Sequence, residues 1–436
     1  MQSKRRIVVC LKIVLVAVFA VMFIRGCGSH SIDRDDITTI TIATHWGAGF
    51  KEELHDYIDE YERLNPHIKI NYRSVPYPDY LRSIIISHLS GDSPDIYHLY
   101  SLWAAQLIEN NIIAVPPDSI QRFVRRQFTP SSVDGITVNG SVYGVPTEVA
   151  TLALFYRKDF FESEGIEYPP QTWEELFDIA RRLTRYAPDG SITRAGFAFP
   201  REWDTGIVLP FYSILWSNGA DLFYDSKDTL VAGKNNIEAA IRYITDFYEY
   251  NICDASFSYA TFPRDLFSGR IAMALLTPDW ESQLRFGLGT EFHNAGVVPV
   301  PKGTEKRVAA GYNWFFAVDS ESRVKKEAWE FIHWLNGARD REQGSSRMGT
   351  FLVDLGMLPS RLSDLEVHSE ITRNPFTLPF FESLQFTRAE PPLPNGREIK
   401  TMLMREIEYA ALGIRTPAET SNRIIERINR MYYEDR

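Results

Sequence analysis

Aromatic side chains stand beside carboxylates, amides and imidazoles at several places in this chain, and this combination suits one kind of chemistry. The sequence holds 9 Trp, 21 Tyr and 27 Phe. Aromatic rings stack on the apolar faces of sugar rings, and sugar hydroxyls need polar partners once they are buried. Any one of these aromatics alone is typical of a core residue, but their repeated placement at the ends of predicted strands favours a shared ligand site. The segments are His45-Trp46, Tyr97 to Trp103, Glu202-Trp203-Asp204, Pro278-Asp279-Trp280 and Tyr312-Asn313-Trp314.

Other kinds of chemistry have no recognisable motif in the sequence. There is no Walker A loop, no Gly-x-Gly-x-x-Gly, no His-Glu-x-x-His and no Gly-x-Ser-x-Gly. The nine histidines show no spacing typical of metal ligands, and Cys253 is the only cysteine of the body. A formal net charge of -10 disfavours a nucleic-acid partner, which requires a basic surface. We therefore expect a protein without catalytic residues, metal or cofactor.

The elements that must position these residues can be predicted from the spacing of the apolar side chains. Periods of two predict strands and periods near 3.6 predict helices between them, with stops at Asn65-Pro66 and at Gly91. Thr172-Trp173-Glu174-Glu175 is a capping box that predicts the start of a helix. Alternating strands and helices indicate an α/β fold with a largely parallel sheet, and 436 residues suffice for two or three domains. The first predicted strands are Ile37 to Ala43, Ile68 to Tyr72 and Asp95 to Tyr100.

The first 36 residues have the pattern of an export signal followed by a linker. Lys4, Arg5 and Arg6 precede an apolar run that ends at Ile24. The Gly26-Cys27 pair resembles the cleavage site of a bacterial lipoprotein signal, in which the cysteine receives the lipid, although Arg25 departs from that pattern. The run also reaches the lower length limit for an uncleaved membrane span. Residues 1–27 are thus predicted to be the export segment and 28–36 the linker, with the body periplasmic or on the outer face of the cytoplasmic membrane.

Three stretches of the body resemble the family of extracellular solute-binding proteins for sugars, of which maltose-binding protein is the familiar member. They appear in a specific order and spacing between about Ile40 and Arg361. The resemblance implies a two-lobed, type II periplasmic-binding-protein-like fold, in which hinge-connected α/β lobes hold the ligand in the cleft between them. The stretches are Gly91 to Ile96 with Asn110 to Ile113, Tyr143 to Pro146 with Leu154 to Asp159 and Thr172 to Leu176, and Leu215 to Asp221.

The resemblance also implies where the lobes and the ligand contacts lie. Lobe one would comprise residues 37–146 plus 311–356, and lobe two residues 147–309 plus 357–436. Glu148 follows the first crossing, where maltose-binding protein has a ligand-contacting carboxylate, and a solvated hinge residue is the alternative reading. Ser101 departs from the charged or polar groups that the family often has after its third strand. The expected ligand-binding residues are Trp46, Tyr100, Ser101, Trp103, Glu148, Trp203, Trp280, Tyr312 and Asn313.

By this resemblance the chain is expected to be the substrate-binding lipoprotein of an ABC transporter. It would bind a mono- or oligosaccharide as a monomer and deliver it to membrane permease subunits. One alternative is a secreted carbohydrate-active hydrolase with Glu148 and either Glu202 or Asp279 as its two carboxylates. Another is a solute sensor or adhesin on the same fold. Turnover of glycosides would identify the hydrolase, and neighbouring permease or kinase genes would separate transport from sensing.

Overall fold

The computed structural model describes residues 37–47, 51–222, 234–339 and 344–433. The predicted export segment, the linker and Cys27 lie outside these ranges. Within them, no helix has the length and the apolar character needed to cross a membrane. The strands are β1 (Thr38–Thr44), β2 (Ile68–Ser74), β3 (Ile96–Tyr100), β4 (Thr137–Val138), β5 (Ser141–Val142), β6 (Val145–Thr151), β7 (Ala153–Arg157), β8 (Arg185–Tyr186), β9 (Ile192–Arg194), β10 (Met273–Leu276), β11 (Ala295–Pro299), β12 (Ala309–Val318) and β13 (Thr387–Ala389).

Helices fill most of the remaining chain, and short 3₁₀ turns cover Ser101–Trp103, Gly289–Asn294 and Leu384–Phe386. The α-helices are α1 (Lys51–Leu64), α2 (Tyr77–Ser90), α3 (Ala104–Glu109), α4 (Asp118–Gln127), α5 (Pro130–Asp134), α6 (Lys158–Ser163), α7 (Trp173–Leu183), α8 (Asp204–Ser217), α9 (Lys234–Glu249), α10 (Phe262–Phe267), α11 (Trp280–Leu288), α12 (Lys325–Asn336), α13 (Arg347–Asp354), α14 (Leu362–Val367), α15 (Ser369–Thr372), α16 (Leu378–Ser383), α17 (Gly396–Ala411) and α18 (Pro417–Tyr433). The predicted capping box is confirmed, because the Thr172 hydroxyl oxygen accepts a hydrogen bond from the Glu175 backbone N–H at 3.1 Å where α7 begins.

The larger sheet has the strand order β13-β12-β3-β1-β2, and β6 also pairs with β12. β1 runs parallel to β2 and to β3, as the alternation of strands and helices predicts. β12 runs antiparallel to β3 and to β6, with Trp314 opposite Tyr100. Because the carboxyl ends of the parallel strands β1 and β3 lie at the same edge of the sheet, residues that follow these two strands lie close together.

The smaller sheet, of order β10-β7-β11, is antiparallel at both junctions. The prediction of a largely parallel sheet is therefore wrong for this part of the chain. Only Leu152 separates β6 from β7, so no helix lies between these two strands. The direction of β7 is therefore set by the direction in which β6 crosses between the lobes. β10 and β11, joined through α11, run parallel to one another on either side of β7.

The described residues form two separate hydrophobic cores. The first core takes its side chains from residues 40–145 and 314–352. The second core takes them from residues 149–310 and 358–428. Three segments cross between the cores side by side: β6, β12 and the stretch after Gly356. The Val149 N–H donates to the Leu358 carbonyl at 2.9 Å, and the Ser360 N–H donates to the Thr147 carbonyl at 2.7 Å. The molecule is thus two lobes on a three-stranded connection.

Candidate ligand-binding cleft

A cleft of about 760 Å³ opens between the two cores. Its walls come from the ends of β1 and β3, from the crossing strands β6 and β12, and from loops and helix α17 of the second lobe. This volume is in the range of pockets that enclose a small organic ligand. The cleft is therefore the candidate site.

The wall from the first lobe is a stack of aromatic rings. Trp314 of β12 lies 3.6 Å, centroid to centroid, from the imidazole of His45, with 19° between the ring planes. The ring of Tyr100, the last residue of β3, also lies near Trp314, at 5.5 Å between centroids and 24° between planes. Burial and the nearby His98 lower the pKa of His45 to about 2, so this imidazole is neutral and adds no positive charge to the cleft. The wall offers flat apolar surface to a ligand.

The crossing strands place a carboxylate and a phenol at the base of the cleft. Glu148 of β6 is 7% exposed, and this exposed part faces the cleft. The neighbouring Thr147 hydroxyl donates to Glu148 Oε2, while His98 Nε2 lies 2.8 Å from that hydroxyl oxygen. This chain of contacts holds the carboxylate in one orientation. Tyr312 of β12 lies opposite Ala150 of β6 and also lines the cleft.

The wall from the second lobe contains a second pair of aromatic rings and a further carboxylate. Trp203 and Tyr259 lie 5.5 Å apart, with an angle of 41° between their planes, and both line the cleft. Asp279 directly precedes α11. Burial raises its pKa and the negative charge of Glu148 raises it further, although a hydrogen bond from Thr277 acts in the opposite direction. The two carboxylates are therefore close enough to repel one another.

Behind Tyr100 the two lobes are joined by a buried polar cluster. The Tyr100 hydroxyl donates to the Glu390 carboxylate. Lys400 Nζ of α17 lies 2.9 Å from the Tyr100 hydroxyl oxygen and 3.0 Å from Glu390 Oε2. Burial lowers the pKa of Lys400, but the carboxylates of Asp204 and Glu390 outweigh this effect and raise it, so the ammonium stays charged. The cluster fixes Tyr100 in the cleft wall.

Four of the nine predicted contact residues line the cleft: Tyr100, Glu148, Trp203 and Tyr312. The other five lie in the layer behind. Trp46 is 1% exposed because its ring packs against His98 and Phe351, at 4.0 and 5.1 Å between centroids. Their part in binding stays a prediction. The five residues are Trp46, Ser101, Trp103, Trp280 and Asn313.

The reasons for burial differ among the remaining four. The Ser101 hydroxyl oxygen accepts a hydrogen bond from the Asn313 N–H at 3.3 Å, which turns both residues inward. Trp103 packs behind Tyr77, with 5.9 Å between centroids, and is 2% exposed. Trp280 lies behind Trp203 at 6.0 Å. Trp103 and Trp280 thus each lie one layer behind an aromatic ring that lines the cleft.

Several residues of the cleft were not among the predicted contacts. His45, Asp204, Asp279 and Trp314 belong to the aromatic and polar segments of the sequence, but nothing in those segments tells which member faces the ligand. Nothing in the sequence indicates that Tyr259 and Arg397 belong to the site, because the residues around them show no unusual pattern. Both reach the cleft only through the packing of the second lobe.

The geometry suits reversible capture of a small polar molecule. Aromatic faces stand on both walls, and carboxylates stand where buried hydroxyl or amino groups would need acceptors. In the described ranges, no group of three or more His, Cys, Asp or Glu side chains could hold a metal ion. Two lobes on a narrow connection can close over such a ligand by a hinge motion.

Comparisons with known proteins agree with this architecture. The chain is 25% identical over 382 residues to a binding protein of Brucella abortus, covering 84% of this chain and 87% of that protein. It is 24% identical over 326 residues to the mannitol-binding protein of Pseudomonas aeruginosa, covering 72% of this chain and 70% of the relative. The GacH receptor of Streptomyces glaucescens, solved unliganded and with acarbose, superposes with a TM-score of 0.74 at 20% identity, over 91% of this chain and 98% of the receptor.

The fold is therefore the two-lobed, type II periplasmic-binding-protein fold, with hinge-connected lobes and the cleft between them. Residues 47–342 match the model of a family described as bacterial extracellular solute-binding protein. That match spans more than half of the chain and includes part of each wall of the cleft. The chain belongs to the bacterial extracellular solute-binding protein family.

Proposed function

We propose that this protein binds a carbohydrate between its two lobes and delivers it to the permease of an ABC importer. The observation that carries the proposal is the cleft itself, which has aromatic faces on both walls, one carboxylate at its base and others on its lining. A pyranose or polyol offers apolar faces to the rings and hydroxyl donors to the carboxylates. One relative is named a mannitol-binding protein, and the GacH receptor was solved in complex with acarbose; both ligands have this chemistry.

The lobe boundaries proposed from the sequence are supported by the two cores. The first core ends at Val145 and resumes at Trp314, next to the proposed boundaries at 146 and 311. The second core ends its first part at Ala310 and resumes at Leu358, beside the proposed boundaries at 309 and 357. Closure would bend the three crossing segments and bring Trp314 and Trp203 together on opposite faces of the solute.

Attachment to the membrane through Cys27 completes the proposal, because a tethered binding protein stays close to its permease. The test is labelling of expressing cells with a radioactive fatty acid. The wild-type chain is expected to carry the label, and Cys27→Ser is expected to lose it. Label-free protein that still sediments with membranes would instead support the uncleaved span.

Binding itself is tested with intrinsic tryptophan fluorescence and thermal unfolding of residues 31–436 against mono- and oligosaccharides and sugar alcohols. A ligand that binds only the folded state raises the free energy of unfolding by about 2.7 kcal/mol at a hundredfold excess over Kd. Trp203→Ala should weaken binding at least about tenfold, since a stacked aromatic is worth about 0.5–1.5 kcal/mol beyond its buried area. The matched control is Tyr168→Ala, a 69% exposed aromatic outside the cleft. Equal loss in both variants would contradict the assignment.

Hydrolysis stays a second candidate because Glu148 and Asp279 both face the cleft and repel one another. Such a pair is also what a glycosidase uses as acid and base. A panel of chromogenic glycosides decides between the two. Release of product that disappears in Glu148→Gln would establish hydrolysis and overturn the proposal of transport.

A further inference from the structure

The charges in the cleft are strongly unbalanced. Its lining carries the carboxylates of Glu148, Glu202, Asp204 and Asp279, and Arg397 is the cation among the lining residues. Because His45 is neutral, it does not offset this excess. A cleft of this composition repels anionic solutes and attracts cationic ones.

Two of these carboxylates are balanced by cations of the protein. Glu202 Oε1 lies 3.6 Å from the guanidinium of Arg201. Among the described residues Asp204 has no lysine or arginine nitrogen within 4.0 Å, but its negative charge, together with that of Glu390, raises the pKa of the buried Lys400 ammonium, so Asp204 is compensated at longer range. Asp204 also accepts a hydrogen bond from the Thr205 N–H at 2.6 Å. The negative charges of Glu202 and Asp204 are therefore offset by positive charges of the protein.

Glu148 and Asp279 have no such partner. In the described part of the chain, no lysine or arginine nitrogen lies within 4.0 Å of either carboxylate. His98 Nε2 lies 3.5 Å from Glu148 Oε2, but its contact at 2.8 Å is with the hydroxyl of Thr147, which itself donates to that carboxylate oxygen. Oε1 of Glu148 has no hydrogen-bond partner among the described residues, and the side chain is 9% exposed.

A carboxylate buried as deeply as that of Glu148 without a cation is costly, and the negative charge of the partly buried Asp279 on the same lining adds to this cost. A neutral sugar could donate hydroxyls to both carboxylates, yet their mutual repulsion would remain. An ammonium group between them removes the repulsion and forms charge-assisted hydrogen bonds to each. The rings of Tyr312 and Trp203 on the same lining add favourable cation–π surface.

We infer that the solute is an amino sugar whose ammonium group is held between Glu148 and Asp279. This inference rests on the proposed carbohydrate function and narrows it to a cationic class. It also predicts that sugar phosphates and uronic acids bind poorly, since their negative charge would face two uncompensated carboxylates.

The test compares matched sugars that differ only in the charged group. Glucosamine, galactosamine, mannosamine and the glucosamine disaccharide are titrated by calorimetry against their neutral counterparts, at pH 7 and two salt concentrations. At least one amino sugar is expected to bind about tenfold to a hundredfold more tightly than its neutral partner, as one or two charge-assisted hydrogen bonds would give. Its N-acetyl derivative, which keeps the nitrogen and loses the charge, should fall back to the neutral affinity.

Variants assign the preference to the two carboxylates. Asp279→Asn and Glu148→Gln should each reduce the ratio of amino to neutral affinity to near one, with both affinities measured on the same variant. Glu167→Gln removes the same charge from an exposed site outside the cleft and should leave the ratio unchanged. If neutral sugars bind as tightly as their amino partners, the inference of an amino sugar is overturned, but the carbohydrate function is not. A panel in which no sugar of either kind binds would overturn the carbohydrate function, and the inference with it.

Discussion

Replacing Lys400 with methionine should destabilise the protein through the carboxylate that it leaves behind. Glu390 is 0% exposed and Lys400 is 2% exposed, with Nζ 3.0 Å from the carboxylate. Removing one partner of a buried ion pair costs about 3–5 kcal/mol, because the remaining charge is neither hydrated nor neutralised. The Tyr100 hydroxyl would still donate to Glu390, so we expect a loss near the lower end of that range. Methionine has nearly the volume of the lysine stem, which keeps the cavity contribution small.

The assay is urea unfolding followed by tryptophan fluorescence, with linear extrapolation to water. The double variant Lys400→Met with Glu390→Gln removes the unpaired charge and retains an acceptor for Tyr100, so it should regain at least about half of the loss. Lys326→Met is the matched control, since Lys326 is 80% exposed and its pairing with Glu330 at 3.7 Å is worth less than about 1 kcal/mol.

The pH dependence gives an independent check of the same reasoning. Burial raises the pKa of Glu390 even beside Lys400, and loss of the ammonium should raise it further. A carboxyl whose pKa is raised in the folded state costs stability only where it must ionise, so the penalty in Lys400→Met should shrink as the pH falls. A loss below about 1 kcal/mol at neutral pH, or a double variant no more stable than the single one, would refute the argument.

Three further outcomes can be measured on the ligand-free protein by the same unfolding assay. Asp279→Asn should have a higher free energy of unfolding than the wild type at pH 7, because the raised pKa of Asp279 means that its ionised form is disfavoured in the folded state. The difference between variant and wild type should vanish below pH 3.8, the usual pKa of the group. A difference that stays the same at that pH would contradict the prediction. Asn313→Leu should raise the free energy of unfolding by about 1–3 kcal/mol, since both amide atoms are buried without a partner, and a decrease would show that the amide is satisfied in solution. Gly196→Ala should destabilise by at least about 1–3 kcal/mol, because its Cβ would stand 1.8 Å from the Ala180 carbonyl oxygen, whereas exposed Gly47→Ala should not.

The fold could be predicted further than the site. The apolar periods placed β1, β2 and β3 within a residue or two of their bounds, and the capping box placed the start of α7. The antiparallel sheet around β7 could not be predicted from local pattern, because its strand directions follow from the crossing of the chain between lobes. Periodicity describes single elements, whereas strand direction depends on connections of a hundred residues or more.

The sequence predicted which segments form the site, but not which side chains of those segments face the cleft. Each aromatic and polar segment does lie near the cleft, yet Trp46 packs inward while its neighbour His45 lines the wall. Next to Tyr312, Asn313 turns away because successive residues of a strand point to opposite faces. The register of strand pairing, and a bulge between Asn313 and Phe315, decide which of two neighbouring residues faces the ligand. Neither feature can be recognised in a single sequence.

The three crossings between the lobes also govern the order in which the protein can fold. β3 is paired on one side with β12, more than two hundred residues later in the chain, so the first core cannot close until most of the polypeptide is present. Contacts of such sequence separation slow folding, since a long loop must be ordered before they form. A fragment ending before residue 309 would leave the fully buried strand β3 with a free edge, which is a site for aggregation. The first lobe therefore has to remain unfolded, or be kept from self-association, until the chain has been released at least as far as β12.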